Sequence, residues 1–196
     1  MRIHRLIAAA FITLAGGVAA VPAMAHIQPS TARRFEVCVA AFEVRVDEYW
    51  ALHRRFERLL EPGTMFLDPS HDYAARQALA DLLRAARPGA GEGDLFTPDV
   101  AEVFRVRIAQ ALIATRRTAS DLLRGDDEDE WPGLAPPVVN GAFNWRWRNV
   151  MWPSILFALP PLPDDLEYRF VGVDLILVDV HANLVVDILR DALAVD

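Results

Sequence analysis

From Phe35 the apolar side chains recur in steps of four and three: Phe35, Val39, Phe42, Val46, Tyr49, then Phe56 and Leu60, with His53 at the one step that lacks an apolar residue. This period puts them on one face of a long amphipathic helix, opened near Ser30 or Thr31 and stopped by Pro62-Gly63. A second helix is predicted from about Ser70 or Asp72 to Arg87, with Tyr73, Leu79, Leu82, Leu83 and Ala86 inward. Pro88-Gly89-Ala90-Gly91-Glu92-Gly93 breaks it, and no preceding strand or GK[ST] pattern makes that loop a phosphate cradle. The third helix opens with Thr97 as cap and Pro98 in the first helical position, and Asp99 and Glu102 suit the positive end of its dipole. Val100, Phe104, Ile108, Ala111, Leu112, Thr115, Ala119 and Leu122 extend its stripe to Gly125, leaving Arg105, Arg107, Arg116 and Arg117 on the solvated side. Three helices joined by breaker-rich loops predict an antiparallel bundle.

The pattern then changes twice. Asp126-Asp127-Glu128-Asp129-Glu130 is read as a solvated boundary loop, because it lacks the alternating ligands and central Gly of an EF-hand. From Trp131 to Pro163 lie seven of the 13 prolines and four of the five tryptophans, and the only charges are Arg146 and Arg148. Proline removes donors and restricts the backbone, so an extended connector is expected, with a short helical turn after Pro153. Three strands follow: Glu167-Tyr168-Arg169-Phe170-Val171, then Asp174 to Val180, then Leu184 to Leu189, punctuated by Gly172 and by His181-Ala182-Asn183. Apolar residues on both faces of the middle strand predict one face against the helices and the other beneath the connector.

The expected fold class is therefore α+β: an antiparallel bundle of three main helices, a Pro-rich connector and a small C-terminal three-stranded antiparallel β-meander. The corresponding segments are 1–25, 26–125 for the bundle, 126–163 for the acidic and Pro/Trp-rich connector, and 164–196 for the meander. Segment 1–25 reads as a signal peptide, with Arg2 and Arg5, an uncharged run from Leu6 to Ala20, and Ala23-Met24-Ala25 before the cut. The run is short for a membrane span, so a periplasmic or secreted protein without a transmembrane span after cleavage is expected. Cleavage removes two arginines, taking the net charge from −7 to −9 over the remaining 171 of 196 residues. That balance argues against nucleic acid and against adhesion to anionic lipid. All 20 basic residues are Arg, which removes Schiff-base and P-loop lysine chemistry. Cys38 is the only thiol, so no intrachain disulfide forms, and a small core residue is its expected role.

Four features carry the candidate chemistry. His53 on the helix seam reads either as a half-buried histidine with one nitrogen satisfied or as a ligand or base; the first is preferred. Cleavage would expose His26, whose free amine and imidazole suit copper, with His53, His71 or His181 as a second ligand. Lytic polysaccharide monooxygenases use such a site, although the helical pattern here does not match their β-sandwich. Asp174, Asp179, His181 and Asp187 cluster along the meander, either as a hydrolytic or metal site or as turn residues facing solvent. Trp145, Arg146, Trp147, Arg148 and Trp152 read as packing residues, a membrane-surface segment or a docking surface for an unknown protein or envelope component. No CxxC, HExxH, GxSxG or Walker pattern is present, so an enzyme has no sequence support and no cofactor is expected.

The tail LPPLPDDLEYRFVG, continuing through LILVDVHANLVVDIL, resembles a group of exported bacterial proteins without an assigned activity, as do Ala85-Ala86-Arg87-Pro88-Gly89-Ala90, the stretch from Gly93 to Val100, and Pro136-Pro137-Val138-Val139-Asn140-Gly141. The resemblance implies export and the order of helices before hairpin. The meander also resembles the end of periplasmic nickel/cobalt homeostasis proteins, although this chain lacks their His-rich character. The function expected from sequence is a non-enzymatic exported binding or accessory module, the alternative being copper, nickel or cobalt binding or homeostasis through the N-terminal His26.

Overall fold

A computed structural model describes residues 29–60, 69–123, 134–147 and 149–193. Residues 1–25, expected as a signal peptide, together with His26, the acidic run and Arg148, lie outside the described residues. Helices α1 (Pro29–Glu57), α2 (Pro69–Ala86), α3 (Pro98–Ala114), α4 (Ala119–Leu123) and α5 (Pro153–Leu156) accompany strands β1 (Asn149–Val150), β2 (Leu166–Val171), β3 (Asp174–Asp179) and β4 (Leu184–Leu189). The C-terminal meander is antiparallel throughout, and the two-residue β1, not expected within the connector, pairs with Phe170 and Val171 at its β2 edge. Among the described residues, no helix is long and apolar enough to cross a membrane.

Helix α1 follows its predicted stripe: Phe42, Val46, Tyr49 and His53 are buried, with Phe35, Val39, Phe56 and Leu60 packed at the margin. It ends at Glu57 rather than running to Pro62, because Leu59 and Leu60 donate to the carbonyls of Phe56 and Glu57, tightening the last turn to a three-residue spacing. In α2 the inward set is narrower than predicted. Leu79 and Leu83 are buried, whereas Tyr73 is 66% exposed and Ala86 faces solvent.

The third predicted helix is two. Thr115 closes α3, Arg116 adopts a left-handed φ of 54°, and the N–H groups of Arg116 and Arg117 return to the carbonyls of Ile113 and Leu112. This is a Schellman stop with arginine where glycine is usual. Helix α4 then starts from a reciprocal cap: the Asp121 N–H donates to Thr118 Oγ1 at 3.1 Å, and the Thr118 N–H donates to Asp121 Oδ2 at 2.8 Å. At the start of α3, Thr97 occupies the cap position but makes no side-chain cap bond.

The two faces of the sheet are covered differently. Leu175 and Leu177 of β3 join the helical core, in which Phe42 lies 4.8 Å from Phe104, 5.6 Å from Phe96 and 6.4 Å from Tyr168 between ring centroids. Ile176, Val178, Val185 and Ile188 meet Phe143, Val139 and Trp147 of the connector on the other face. The connector also closes the β4 edge. Asn140 N–H donates to the Val185 carbonyl, Val185 N–H to Gly141, and Phe143 N–H to Asn183. Gly141 is required there, since a Cβ would stand 2.8 Å from the Val138 carbonyl oxygen.

Asp179 and Asp187 are both fully buried, not turned to solvent. The pairing slips between Leu177 and Val178, so Leu177 opposes Asp187 while Val178 opposes Val185. The extra residue, Val186, is a β-bulge that brings Asp187 onto the helical face. There its Oδ1 accepts from the N–H groups of Gly93 (2.9 Å) and Ile188 (2.7 Å), and its Oδ2 accepts from those of Leu95 and Phe96 (2.7 Å each). Burial pushes this carboxyl up from its ordinary value, and the four backbone donors pull it back. Asp187→Asn would set an amide N–H₂ against backbone donors. The expected cost is about 3 kcal/mol, read as a lower urea midpoint at unchanged slope.

Candidate metal centre

Tyr49, His53 and Glu57 stand four residues apart near the end of α1, one above the other on its sheet-facing side. The sheet meets them with Asp179, the last residue of β3, and with His181 in the turn that follows. Asp179 Oδ2 accepts the Tyr49 hydroxyl at 2.7 Å and lies 2.6 Å from His53 Nδ1, while its Oδ1 accepts the Ala182 N–H at 2.8 Å. Burial, then the charge and hydrogen bond of Asp179, push the Tyr49 phenol well above its ordinary range, with Arg87, stacked 5.1 Å from the ring centroid, opposing. The phenol therefore stays a donor at neutral pH.

This arrangement assigns the proton on His53. A carboxylate accepts, so Nδ1 is the donor, and in the neutral ring Nε2 is the nitrogen that carries the lone pair. Nε2 is buried and has no hydrogen-bond partner. The ring is wedged between Trp50 at 4.7 Å and His181 at 5.6 Å between centroids. One ligand atom each from His53, Glu57 and His181 lies within 4.8 Å of the others. His181 Nδ1 and Glu57 Oε1 are 3.6 Å apart, too far for a hydrogen bond, and Arg54 holds Glu57 Oε2 at 2.7 Å. Two imidazoles and one carboxylate converging in this way, with a second carboxylate behind one ring, match the donors of a transition-metal centre.

Of the four histidines expected as ligands, the structure brings His53 and His181 together. His26 lies outside the described residues, and His71 falls in the first turn of α2 with its side chain outside them. His53 is fully rather than half buried, although one nitrogen is satisfied as expected. Glu57 and the supporting Tyr49 were not among the expected site residues, although the spacing of Tyr49, His53 and Glu57 was visible on the helix; Asp179 was expected with His181 in the meander cluster, and it stands behind the His53 ring. The Trp/Arg segment is elsewhere. Trp145 is 50% exposed, but its indole N–H donates to Asn183 Oδ1 and its ring meets Phe143 edge-on, as does that of Trp147, whose N–H donates to the Ala135 carbonyl. Arg146 is exposed in the same turn, and Trp152 packs at the helical core under the Arg117 guanidinium.

No family model, curated protein or solved structure matches the chain. The ring nitrogens provide the direct check of the site. In a ¹⁵N–¹H correlation of the metal-free protein at pH 7.5, His53 is expected as the Nδ1–H tautomer with an unprotonated Nε2. An Nε2–H signal would show the lone pair to be absent.

Proposed function

We propose that this is an exported protein that binds one divalent transition-metal ion through His53 Nε2, His181 and Glu57, on a layer of helices read as an antiparallel bundle. The observation that carries the proposal is the buried Nε2, which has no hydrogen-bond partner while Asp179 engages Nδ1 on the other side of the ring. Leaving a buried polar atom unsatisfied costs about 1–3 kcal/mol, and coordination relieves that cost. Neutral imidazole backed by a carboxylate on its other nitrogen is how metal-ligating histidines are commonly oriented. Export rests on the N-terminal sequence, with Arg2, Arg5 and the Ala23-Met24-Ala25 cut.

Metal binding is preferred to a partner-docking role for the Trp/Arg segment because both Trp145 and Trp147 use their indole N–H groups, and meet Phe143 edge-on, within the protein itself. It also differs from copper capture by a free N-terminus, since the three donors come from α1 and the β3–β4 turn, with His53 buried and Glu57 and His181 partly exposed.

Purified protein dialysed against Zn²⁺ at pH 7.5 is expected to retain one equivalent and to unfold at higher temperature. At a hundredfold excess over Kd, binding adds about 2.7 kcal/mol of stability. His181→Gln and Glu57→Gln alter partly exposed positions and are expected to keep the fold while weakening binding at least tenfold. Zn²⁺ retention unchanged in His181→Gln and Glu57→Gln would remove the proposal.

A further inference from the structure

The turn preceding β2 brings one more group to the same nitrogen. Asp165 Oδ2 lies 3.8 Å from His53 Nε2. Its side chain is 31% exposed, and among the described residues no hydrogen bond holds its carboxylate. Its backbone is held firmly, because the Asp165 carbonyl accepts the Val180 N–H at 2.9 Å, one residue before His181. The carboxylate is thus anchored to the segment that supplies His181, yet its side chain remains free to turn.

We infer that Asp165 is the fourth ligand of this centre, so that the site holds Zn²⁺ or Co²⁺ in a closed tetrahedral set of two imidazoles and two carboxylates. The inference rests on the metal reading above and adds the coordination number and the class of ion. Ligand atoms about 2.0–2.1 Å from a tetrahedral ion stand roughly 3.3 Å from one another. The 3.8 Å between Asp165 Oδ2 and Nε2 and the 3.6 Å between His181 Nδ1 and Glu57 Oε1 are both close to that edge length. Asp165 lies outside the tight trio, and a turn of its partly exposed side chain is the movement that coordination requires.

Charge gives a second argument. A divalent ion beside a buried imidazole is costly unless two anions neutralise it, and Glu57 supplies one. Asp179 is engaged by Tyr49, His53 and the Ala182 N–H, so Asp165 is the carboxylate with capacity to coordinate. Two nitrogens and two oxygens suit Zn²⁺ and Co²⁺. Cu⁺ favours soft sulfur ligands, and Mg²⁺ favours octahedral oxygen. A closed set leaves no open position for a reacting water, which makes this a site that holds its ion rather than one that activates water.

The full chain loaded with Co²⁺ tests the assignment, since the visible d–d bands report geometry and dialysis reports affinity. The wild-type protein is expected to bind one Co²⁺ with the intense bands of a four-coordinate tetrahedral ion. Asp165→Asn should weaken binding about 10–100-fold, the range expected even for a supporting carboxylate, and reduce the band intensity. Asp165→Glu, which keeps a carboxylate, should retain most of both. Affinity and spectrum unchanged in a folded Asp165→Asn variant would overturn the fourth ligand while leaving the three-ligand site intact. The weak bands of an octahedral ion in the wild type would overturn the closed geometry. Failure of the folded wild-type protein to bind either Co²⁺ or Zn²⁺ would overturn the metal reading itself, and this inference with it.

Discussion

A fully buried carboxylate cannot remain ionised in a protein interior unless donors surround it, and Asp179 obtains its donors from two directions. The β3–β4 turn contributes one backbone N–H, while Tyr49 and His53 come from a helix about 130 residues earlier in the chain. The same interaction locks helix to sheet, sets the rotation of α1 about its axis, and chooses which histidine nitrogen keeps its lone pair. The candidate centre is thus a by-product of satisfying one charge. Breaking such a network by removing a partner costs more than the net worth of its bonds, because the remaining charge is left unpaired in low dielectric.

Asp187 solves the same problem differently. It draws its donors from backbone, with a bulge in β4 aiming it at the loop that leads into α3. Two acids on one face of one sheet therefore organise the helical layer: one fixes α1, and the other fixes the entry to α3. This explains how a meander whose third strand is buried along its whole length tolerates two charges.

Where the chain carried strong periodicity, the structure followed it. The α1 stripe, the meander with its turns, and the coverage of its two faces all appear at the positions the pattern implied. What was not legible has identifiable causes. The break within the third helical stretch depends on Arg116 taking a backbone conformation usually associated with glycine, and on a Thr118/Asp121 capping box that apolar periodicity ignores. The burial of Asp187 depends on a one-residue bulge, and nothing in an alternating pattern marks where a register slips. The candidate trio was half visible: His53 and Glu57 share a helix face four residues apart, but their meeting with His181 is a tertiary event. Asp165 approaches His53 through another tertiary pairing, its carbonyl accepting the Val180 N–H.

The strap formed by residues 140–143 has a further consequence at the level of association. An open strand edge is a template on which other chains can polymerise. Here the connector's own backbone occupies the β4 rim, so that rim offers no ladder to an intruding strand. On the opposite rim, β1 guards only Phe170 and Val171, and the stretch beyond it carries the ion-paired Glu167 and Arg169, charges that a docking strand would have to desolvate. The sheet is thereby kept from growing at both ends, by occupation on one side and by charge on the other.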